Sequence, residues 1–243
     1  MSKILVISDT HINPDNAHEA IDLWYHLGKY CTKTKPELIV HLGDVADLSS
    51  QAWRVAARGG HTLEEELKSV ELALSAFEEA INEYNRSQRK KKKKLYKPHK
   101  YLTLGNHDVR NGVTVIEDLF TSEGWEVTDY LEPLCLRGIY FCHCMAKGLS
   151  DQMCTTAQEL LENWCCDIVV GHGHHKDFFE GYSLAQHRKL TALKCPVFSL
   201  SHYDWAKQTE YKWSRGFTEI ETGVPYDHMK FVWKDLACLY KNS

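Results

Sequence analysis

Short apolar runs that each stop at a group of polar residues are the feature that most restricts how this chain can fold. The runs are residues 4–7 before SDTH, 38–40 before HLGD, 101–104 before GNHD, 139–142 before His143, and 168–170 before GHGHH. Runs of this length are typical of buried strands in a sheet covered on both faces. The sequence therefore predicts an α/β fold in which five strands end in chemically active side chains.

Helical patterns separate the early strands, which predicts β-α-β units and a parallel sheet. One helix is expected over about residues 16–31. The clearest helix runs from Thr62 to Arg89, with Thr62 and Glu65 as a capping box. Its apolar stripe indicates either packing against the core of this chain or a dimeric coiled coil. Residues 190–201 and 215–233 predict strands, the latter a hairpin.

Composition favours an ordinary globular protein, because 43% of the 243 residues are hydrophobic and 26% are charged. No apolar stretch approaches the ~20 residues that cross a bilayer, and MSKILVISDTH has no signal-peptide pattern, so we expect a cytoplasmic protein. The nine cysteines include no Cys-x-x-Cys pair and are expected to be reduced. Strand alternation should turn Cys142 and Cys144 away from the face of His143.

The charge distribution is uneven along the chain. The net charge of −4 does not indicate a nucleic-acid-binding protein as a whole. Residues 89–94 nevertheless place six positive charges together, followed by Lys97, His99 and Lys100. Such a run predicts either a solvated loop or a surface that contacts phosphates.

The polar residues at the strand ends are of the types that bind metal ions. They are Asp9 and His11, Asp44, Asn106 with His107 and Asp108, His143, and His172 with His174. Side chains at positions i and i+2 leave an extended segment on the same side, so each such pair can reach one cation. Carboxylate, amide and imidazole ligands together suit Mn²⁺, Fe, Zn²⁺ or Ni²⁺ better than Ca²⁺. We expect two divalent ions, with Mn²⁺ favoured.

These residues, in this order, resemble the calcineurin-like metallophosphoesterases, whose motifs are D-x-H, G-D-x-x-D, G-N-H-D/E, H and G-H-x-H. The motifs span about residues 3–175, and the layout is also similar to small bacteriophage-encoded members. The resemblance implies a four-layer αββα sandwich, in which two mixed β-sheets pack face to face with helices outside. Chain length favours a single domain over residues 1–243, with a helical and lysine-rich insert at about 48–100.

Carried over by position, the resemblance implies that Asp9, His11 and His174 bind one ion, that Asn106, His143 and His172 bind the other, and that Asp44 bridges them. Two ions roughly 3.5–4 Å apart would generate a bridging hydroxide near neutral pH and neutralise phosphate oxygens during in-line attack. His107 is expected to protonate the leaving-group oxygen, with Asp108 orienting its ring. Asp47 is expected to orient the metal ligands.

The expected function is hydrolysis of phosphodiesters in nucleic acid or nucleotides. In the insert, two alternatives stand: Trp53 stacks on a base while Arg54 or Arg58 holds a phosphate, or Trp53 packs against the core with both arginines in solvent. Tyr203–Trp205 and Tyr211–Trp213 are expected to form the other wall of the pocket. The alternatives are a nucleotide or protein phosphomonoesterase and a non-catalytic interaction module. The sequence leaves open whether the protein is a monomer or a homodimer.

Overall fold

The computed structural model describes residues 2–52, 60–112, 115–203, 206, 209–224 and 227–241, which form two β-sheets and five α-helices. The strands are β1 (Ser2–Ile7), β2 (Leu38–His41), β3 (His99–Thr103), β4 (Glu126–Thr128), β5 (Leu134–Leu136), β6 (Ile139–Cys142), β7 (Ile168–Val170), β8 (Asp177–Ser183), β9 (Arg188–Lys194), β10 (Phe217–Val224) and β11 (Asp227–Lys234). The helices are α1 (Ala17–Thr34), α2 (Leu63–Lys90), α3 (Val115–Ser122), α4 (Ala157–Trp164) and α5 (Ala237–Tyr240).

Six strands form the first sheet, in the order β11-β10-β1-β2-β3-β4. β1, β2, β3 and β4 are parallel, with α1, α2 and α3 in the connections, which confirms the predicted β-α-β arrangement. β10 pairs antiparallel with both β1 and β11, so the sheet is mixed. β10 and β11 are also the hairpin predicted over residues 215–233.

Five strands form the second sheet, in the order β5-β6-β7-β9-β8. β6, β7 and β9 are parallel, and the two edge strands β5 and β8 are antiparallel to their neighbours. This sheet is therefore mixed as well. The carboxyl ends of β6 and β7 carry the polar residues that the sequence places after them.

Three groups of buried side chains hold four layers together. Between the first sheet and its helices, Leu5 and Ile7 pack with Trp24 of α1 and Phe77 of α2. Between the two sheets, Ile4 and Val6 pack with Phe141 and Val169. Outside the second sheet, Ile168 and Val170 pack with Leu160 of α4. Alternate residues of β1 thus face different layers, as the period of two in a strand requires. The order of helices, sheet, sheet and helix is the predicted αββα sandwich.

The apolar stripe of α2 packs inside this chain. Val70, Leu74 and Phe77 are buried in the same cluster as α1, and Thr62 with Glu65 forms the predicted capping box. The two helices approach closely at Gly28, where an added Cβ would lie 2.7 Å from the carbonyl oxygen of Phe77. The intramolecular alternative for the stripe is therefore the correct one.

We expect Phe77→Ala to lower the free energy of unfolding by about 3–5 kcal/mol, because it removes a fully buried ring between α1, α2 and the sheet. Leu72→Ala on the same helix is the control, since Leu72 is 43% exposed and its loss should cost less than about 1 kcal/mol. Urea unfolding followed by far-UV circular dichroism measures both values. Equal effects of the two substitutions would contradict this account of the core.

α2 runs from the carboxyl edge of the parallel strands to the opposite edge. Near its start, the buried carboxylate of Glu66 accepts hydrogen bonds from the backbone N–H and hydroxyl of Ser49, two residues after Asp47. Its end at Lys90 leads to the amino end of β3. In the described part of the chain, no helix is both long enough and apolar enough to span a membrane.

Candidate metal centre

The residues that the sequence places after five strands lie together at one edge of the sandwich. β1, β2 and β3 end side by side in the first sheet, and β6 and β7 end side by side in the second. Because β1, β2 and β3 are parallel to one another and β6 is parallel to β7, the carboxyl ends within each group lie at the same edge of their sheet. The inter-sheet contacts then bring the two groups of strand ends together.

The first group of candidate ligands is Asp9, His11 and His174, all buried. Nε2 of His174 lies 3.1 Å from Oδ1 of Asp9 and 3.2 Å from Nε2 of His11. The other carboxylate oxygen of Asp9 accepts a hydrogen bond from the backbone N–H of His172 at 3.0 Å. Asp9, which follows β1, therefore contacts the loop after β7 that carries His172 and His174.

The second group is Asn106, His143 and His172. Nε2 of His143 lies 3.0 Å from Oδ1 of Asn106 and 3.1 Å from Nδ1 of His172. Oδ2 of Asp44 lies 3.3 Å from Nε2 of His143 and 3.9 Å from Nε2 of His11. Asp44 thus stands between the two groups, and all seven candidate ligands are brought together.

The chemistry of these contacts fits a bound cation. Nδ1 of His143 lies 2.7 Å from the carbonyl oxygen of Leu42 and donates to it, so Nε2 of His143 faces inward. There it meets oxygen of Asn106, nitrogen of His172 and oxygen of Asp44, which are acceptors when the imidazoles are neutral. Two ligand atoms at 2.0–2.1 Å from one ion and at a right angle would lie about 3 Å apart. The spacing and the ligand types therefore fit bound metal ions.

Several of these residues hold left-handed backbone conformations. Asp9, His11, Asp44, His172 and His174 all have φ between 44° and 62°. Non-glycine residues rarely adopt this region, and such strain concentrates at functional sites. The left-handed conformation turns the side chains of these candidate ligands over the strand ends and towards one another.

Glycine allows the loops after β2 and β3 to approach. A Cβ added to Gly105 would lie 2.2 Å from Oδ1 of Asp44, a distance that no side chain tolerates. Any substitution at Gly105 would therefore push the Asp44 carboxylate away from His143. This close approach of the Asp44 carboxylate explains why residue 105 is a glycine.

The two central carboxylates are held ionised. Burial by itself would raise the pKa of Asp9, but His174 outweighs it and holds the pKa well below the usual range. Burial would likewise raise the pKa of Asp44, and there His143 and His107 hold it low. Two negative charges in a buried site also favour a bound cation.

Metal binding is expected to release about one proton per chain at pH 7, from His143. Burial would lower the pKa of this imidazole, but the neighbouring Asp44 raises it to about 9. Below pH 9 the metal ion must therefore displace a proton, and affinity should rise roughly tenfold per pH unit towards pH 9. Calorimetry in buffers of different ionisation enthalpy measures the proton release. Affinity that stays constant from pH 6 to 9 would contradict it.

His107 lies at the rim of the two groups. Its Nδ1 donates to the carbonyl oxygen of Asp47 at 2.8 Å, and Oδ1 of the Asp47 carboxylate lies 3.4 Å away. Its Nε2 is 4.0 Å from Oδ2 of Asp44 and 2.8 Å from Nη2 of Arg110, which donates to it. Burial lowers the pKa of His107, but Asp44 and Asp47 outweigh it and raise the pKa above its ordinary value. This imidazole is therefore able to carry a proton near neutral pH.

The structure corrects the expectation that Asp108 orients the His107 ring. The two carboxylate oxygens of Asp108 accept the backbone N–H groups of Val45 and Gly105, each at 2.9 Å. Asp108 thus ties the loop after β2 to the loop after β3, and burial followed by the charge of Asp44 raises its pKa to about 7. Asp47 makes the contacts with the ring that were expected of Asp108.

The expectation for Cys144 is also wrong in part. β6 ends at Cys142, so the chain no longer alternates like a strand beyond His143. Sγ of Cys144 lies within 4.8 Å of ring nitrogens of His143 and His172, and it lies 3.6 Å from the hydroxyl of Tyr130. Both thiols are buried, as expected.

Sequence reasoning missed two residues that support the site. Nδ1 of His41 accepts the backbone N–H of Gly43 at 3.1 Å, and burial lowers the pKa of His41 to about 3. Nη2 of Arg110 donates to Nε2 of His107. A polar residue ending the otherwise apolar run of β2 was a usable signal for His41, whereas Arg110 gave none. Tyr203, which was expected only as a pocket wall, also donates its hydroxyl to the carbonyl oxygen of His11 at 3.2 Å.

The predicted substrate residues have different outcomes. Trp53, Arg54 and Arg58 lie outside the described residues, as do Asp204 and Trp205. The half-buried ring of Trp213 packs edge-on to His174, with 4.2 Å between ring centroids, and the ring of Tyr203 lies 5.7 Å from that of His11. Part of the expected aromatic wall therefore lies directly beside the first ligand group.

Comparison with known proteins agrees with this geometry. The family model described as calcineurin-like phosphoesterase matches residues 2–225, a range that contains all seven candidate ligands. No curated protein matches the chain. The family is dinuclear and metal-dependent, which fits the two groups of ligands around Asp44. The chain therefore belongs to the calcineurin-like phosphoesterases, which are metal-dependent phosphoester hydrolases.

Proposed function

We propose that this protein hydrolyses phosphodiesters of nucleic acid or nucleotides. The observation that carries the proposal is the aromatic ring of Trp213 against His174, because a base attached to the reacting phosphate can stack at that position. Arg110 is the guanidinium beside His107, and it already donates to the carbonyl oxygen of Asp47. A phosphodiester carries one negative charge fewer than a phosphomonoester dianion, so fewer cationic side chains are needed to bind it.

We assign the roles of the site residues on the same basis. Asp9, His11 and His174 would hold one ion, Asn106, His143 and His172 would hold the other, and Asp44 would be a ligand shared between them. Two bound divalent ions would supply a water of lowered pKa and would neutralise charge on phosphate oxygens. The mixture of oxygen and nitrogen ligands suits Mn²⁺, which we propose as the native metal.

The side chains of this protein handle the leaving group. His107 donates a proton from Nε2 to the departing oxygen, and the carbonyl oxygen of Asp47 keeps the ring in place through Nδ1. Arg110 must release Nε2 of His107 when that nitrogen is protonated, since both groups are then donors. The freed guanidinium can pair with a phosphate oxygen of the substrate.

Hydrolysis of bis(p-nitrophenyl) phosphate and p-nitrophenyl phosphate tests the proposal, because the two esters share a leaving group. We expect Mn²⁺-dependent cleavage that favours the diester and stops with EDTA. Trp213→Ala should raise KM for a dinucleotide while leaving KM for the nitrophenyl diester within about threefold. A preference for the monoester would instead support a phosphomonoesterase, and cleavage of neither ester would support a binding module.

A further inference from the structure

A second feature lies at the end of the molecule opposite the metal centre. Residues 86–97 contain eight Lys and Arg residues and no Asp or Glu, while the rest of the chain has 21 Lys and Arg against 33 Asp and Glu. We call this segment the basic end; its charged residues are Arg86, Arg89, Lys90–Lys94 and Lys97. A strongly positive patch on a chain of net charge −4 produces a local field that favours an anionic partner.

Most of these charges have no carboxylate partner. Arg86 pairs with Glu79 at 2.6 Å, but among the described residues Arg89, Lys90–Lys94 and Lys97 make no ion pair and are exposed. Elsewhere on the surface, lysines such as Lys68 lie against glutamates. The positive charges of the basic end therefore remain available to an anionic partner outside the chain.

The neighbouring cleft carries a further cation. A cavity of about 540 Å³ is lined by Lys94, Lys97 and Lys35, by two aromatic rings, and by Glu37, whose carboxylate pairs with Arg137. Nζ of Lys35 is buried over the rings of Tyr84 and Tyr96, at 3.3 and 4.5 Å from their centroids, and has no hydrogen-bond partner among the described residues. Aromatic rings stabilise this cation without neutralising it, so Lys35 adds to the positive potential of the cleft.

The basic end is separated from the metal centre by the length of α2. Glu66 fixes the start of the helix beside Ser49, and the 28 residues of α2 span about 42 Å. The exposed surface between them is acidic, with Glu64, Glu71 and Glu79 along the helix. The lysine run thus does not overhang the reacting phosphate, and the exposed residues of α2 form no continuous basic track between the two.

We propose that the basic end binds the phosphate backbone of nucleic acid and tethers long substrates to the enzyme; the tethering rests on the function proposed above. Unpaired lysines bind a regular array of phosphates by releasing its counterions. A membrane surface fits less well, because none of the large exposed hydrophobic side chains lies within residues 86–97.

A length threshold follows from this arrangement. At 3.4 Å per base pair, a duplex that covers the length of α2, about 42 Å, has about 12 base pairs, so we expect duplexes of about this length or longer to contact both the basic end and the metal centre. A longer duplex can occupy both, and the second contact is then intramolecular. The basic end should therefore lower KM for long substrates and leave KM for short ones unchanged.

Binding of fluorescent duplex DNA in EDTA, without cleavage, tests the proposal directly. Replacing Lys90–Lys93 by Gln should weaken binding of a 24-base-pair duplex by at least about tenfold in 50 mM salt, and should reduce the salt slope by about 3. Replacing Lys90–Lys93 by Arg keeps the positive charges, and this variant should bind the duplex like the wild type. The control removes the same charge at four other exposed lysines, Lys68, Lys189, Lys230 and Lys241.

Each outcome decides one part of the proposal. Equal weakening in the control variant, unchanged binding in the Gln variant, or tighter binding to phosphatidylserine vesicles than to DNA would overturn it. With Mn²⁺ added, a higher KM of the Gln variant for the 24-mer but not for an 8-mer supports tethering, whereas equal KM values refute it. Binding of the 24-mer without its cleavage would leave the anchoring site standing and would reject tethering, while hydrolysis of the nitrophenyl diester decides the proposed function separately.

Discussion

Asp44→Asn is expected to reduce turnover by at least about a thousandfold and to lower the metal content below two ions per chain. Oδ2 of Asp44 faces both ligand groups, at 3.3 Å from His143 and 3.9 Å from His11. The amide keeps the shape of the side chain but removes the negative charge that holds two cations near each other. Loss of one ion removes several kcal/mol of transition-state stabilisation.

Metal analysis by mass spectrometry after desalting, together with diester hydrolysis, measures both effects. Asp151→Asn is the matched control, because Asp151 is exposed and the substitution makes the same chemical change. We expect the control to keep both ions and full turnover. Retention of two ions by Asp44→Asn would show that this carboxylate is not shared between them.

His107→Asn is expected to keep both ions and to lose turnover by about 10²–10⁴-fold, the usual contribution of general acid catalysis. His107 contacts Asp47 and Arg110, lies 4.0 Å from Asp44 and packs edge-on to the ring of His11; it is not one of the seven candidate ligands, and we expect its removal to leave them in place. The loss should be largest for alkyl leaving groups, which need a proton. It should be smallest for p-nitrophenolate, which departs without one.

Plots of rate against leaving-group pKa for the wild type and the variant test this role. His175→Asn serves as the control, because His175 is adjacent to His174 but its Nδ1 contacts the carbonyl oxygen of Gly173. A parallel loss for all leaving groups would mean that His107 positions the substrate. Loss of both ions would assign it to the metal centre itself.

The exchange of roles between Asp47 and Asp108 shows where local sequence stops being informative. Asp108 is adjacent to His107 in the chain, yet its carboxylate points to backbone N–H groups of two loops. Asp47 lies sixty residues before His107 and meets it because the loops after β2 and β3 are neighbours. Only the pairing of β2 with β3 makes that contact.

The sequence by itself determined the five strands that end in candidate ligands, the C-terminal hairpin, the long helix with its cap, and the identity of those ligands, whereas β4, β5 and β8 were not predicted. Hydrophobic patterns with a period of two or 3.6 residues indicate which side chains are buried, and the residue types at the strand ends indicate which metal ions they can bind. The tertiary structure alone decided which partner each ligand faces, and it brought in Arg110 and His41. It also placed the lysine run at the end of α2 opposite the one that contacts Ser49, with the helix length of about 42 Å between the two ends. Such contacts depend on how strand ends and helices pack, and distance in space is not encoded by neighbouring residues.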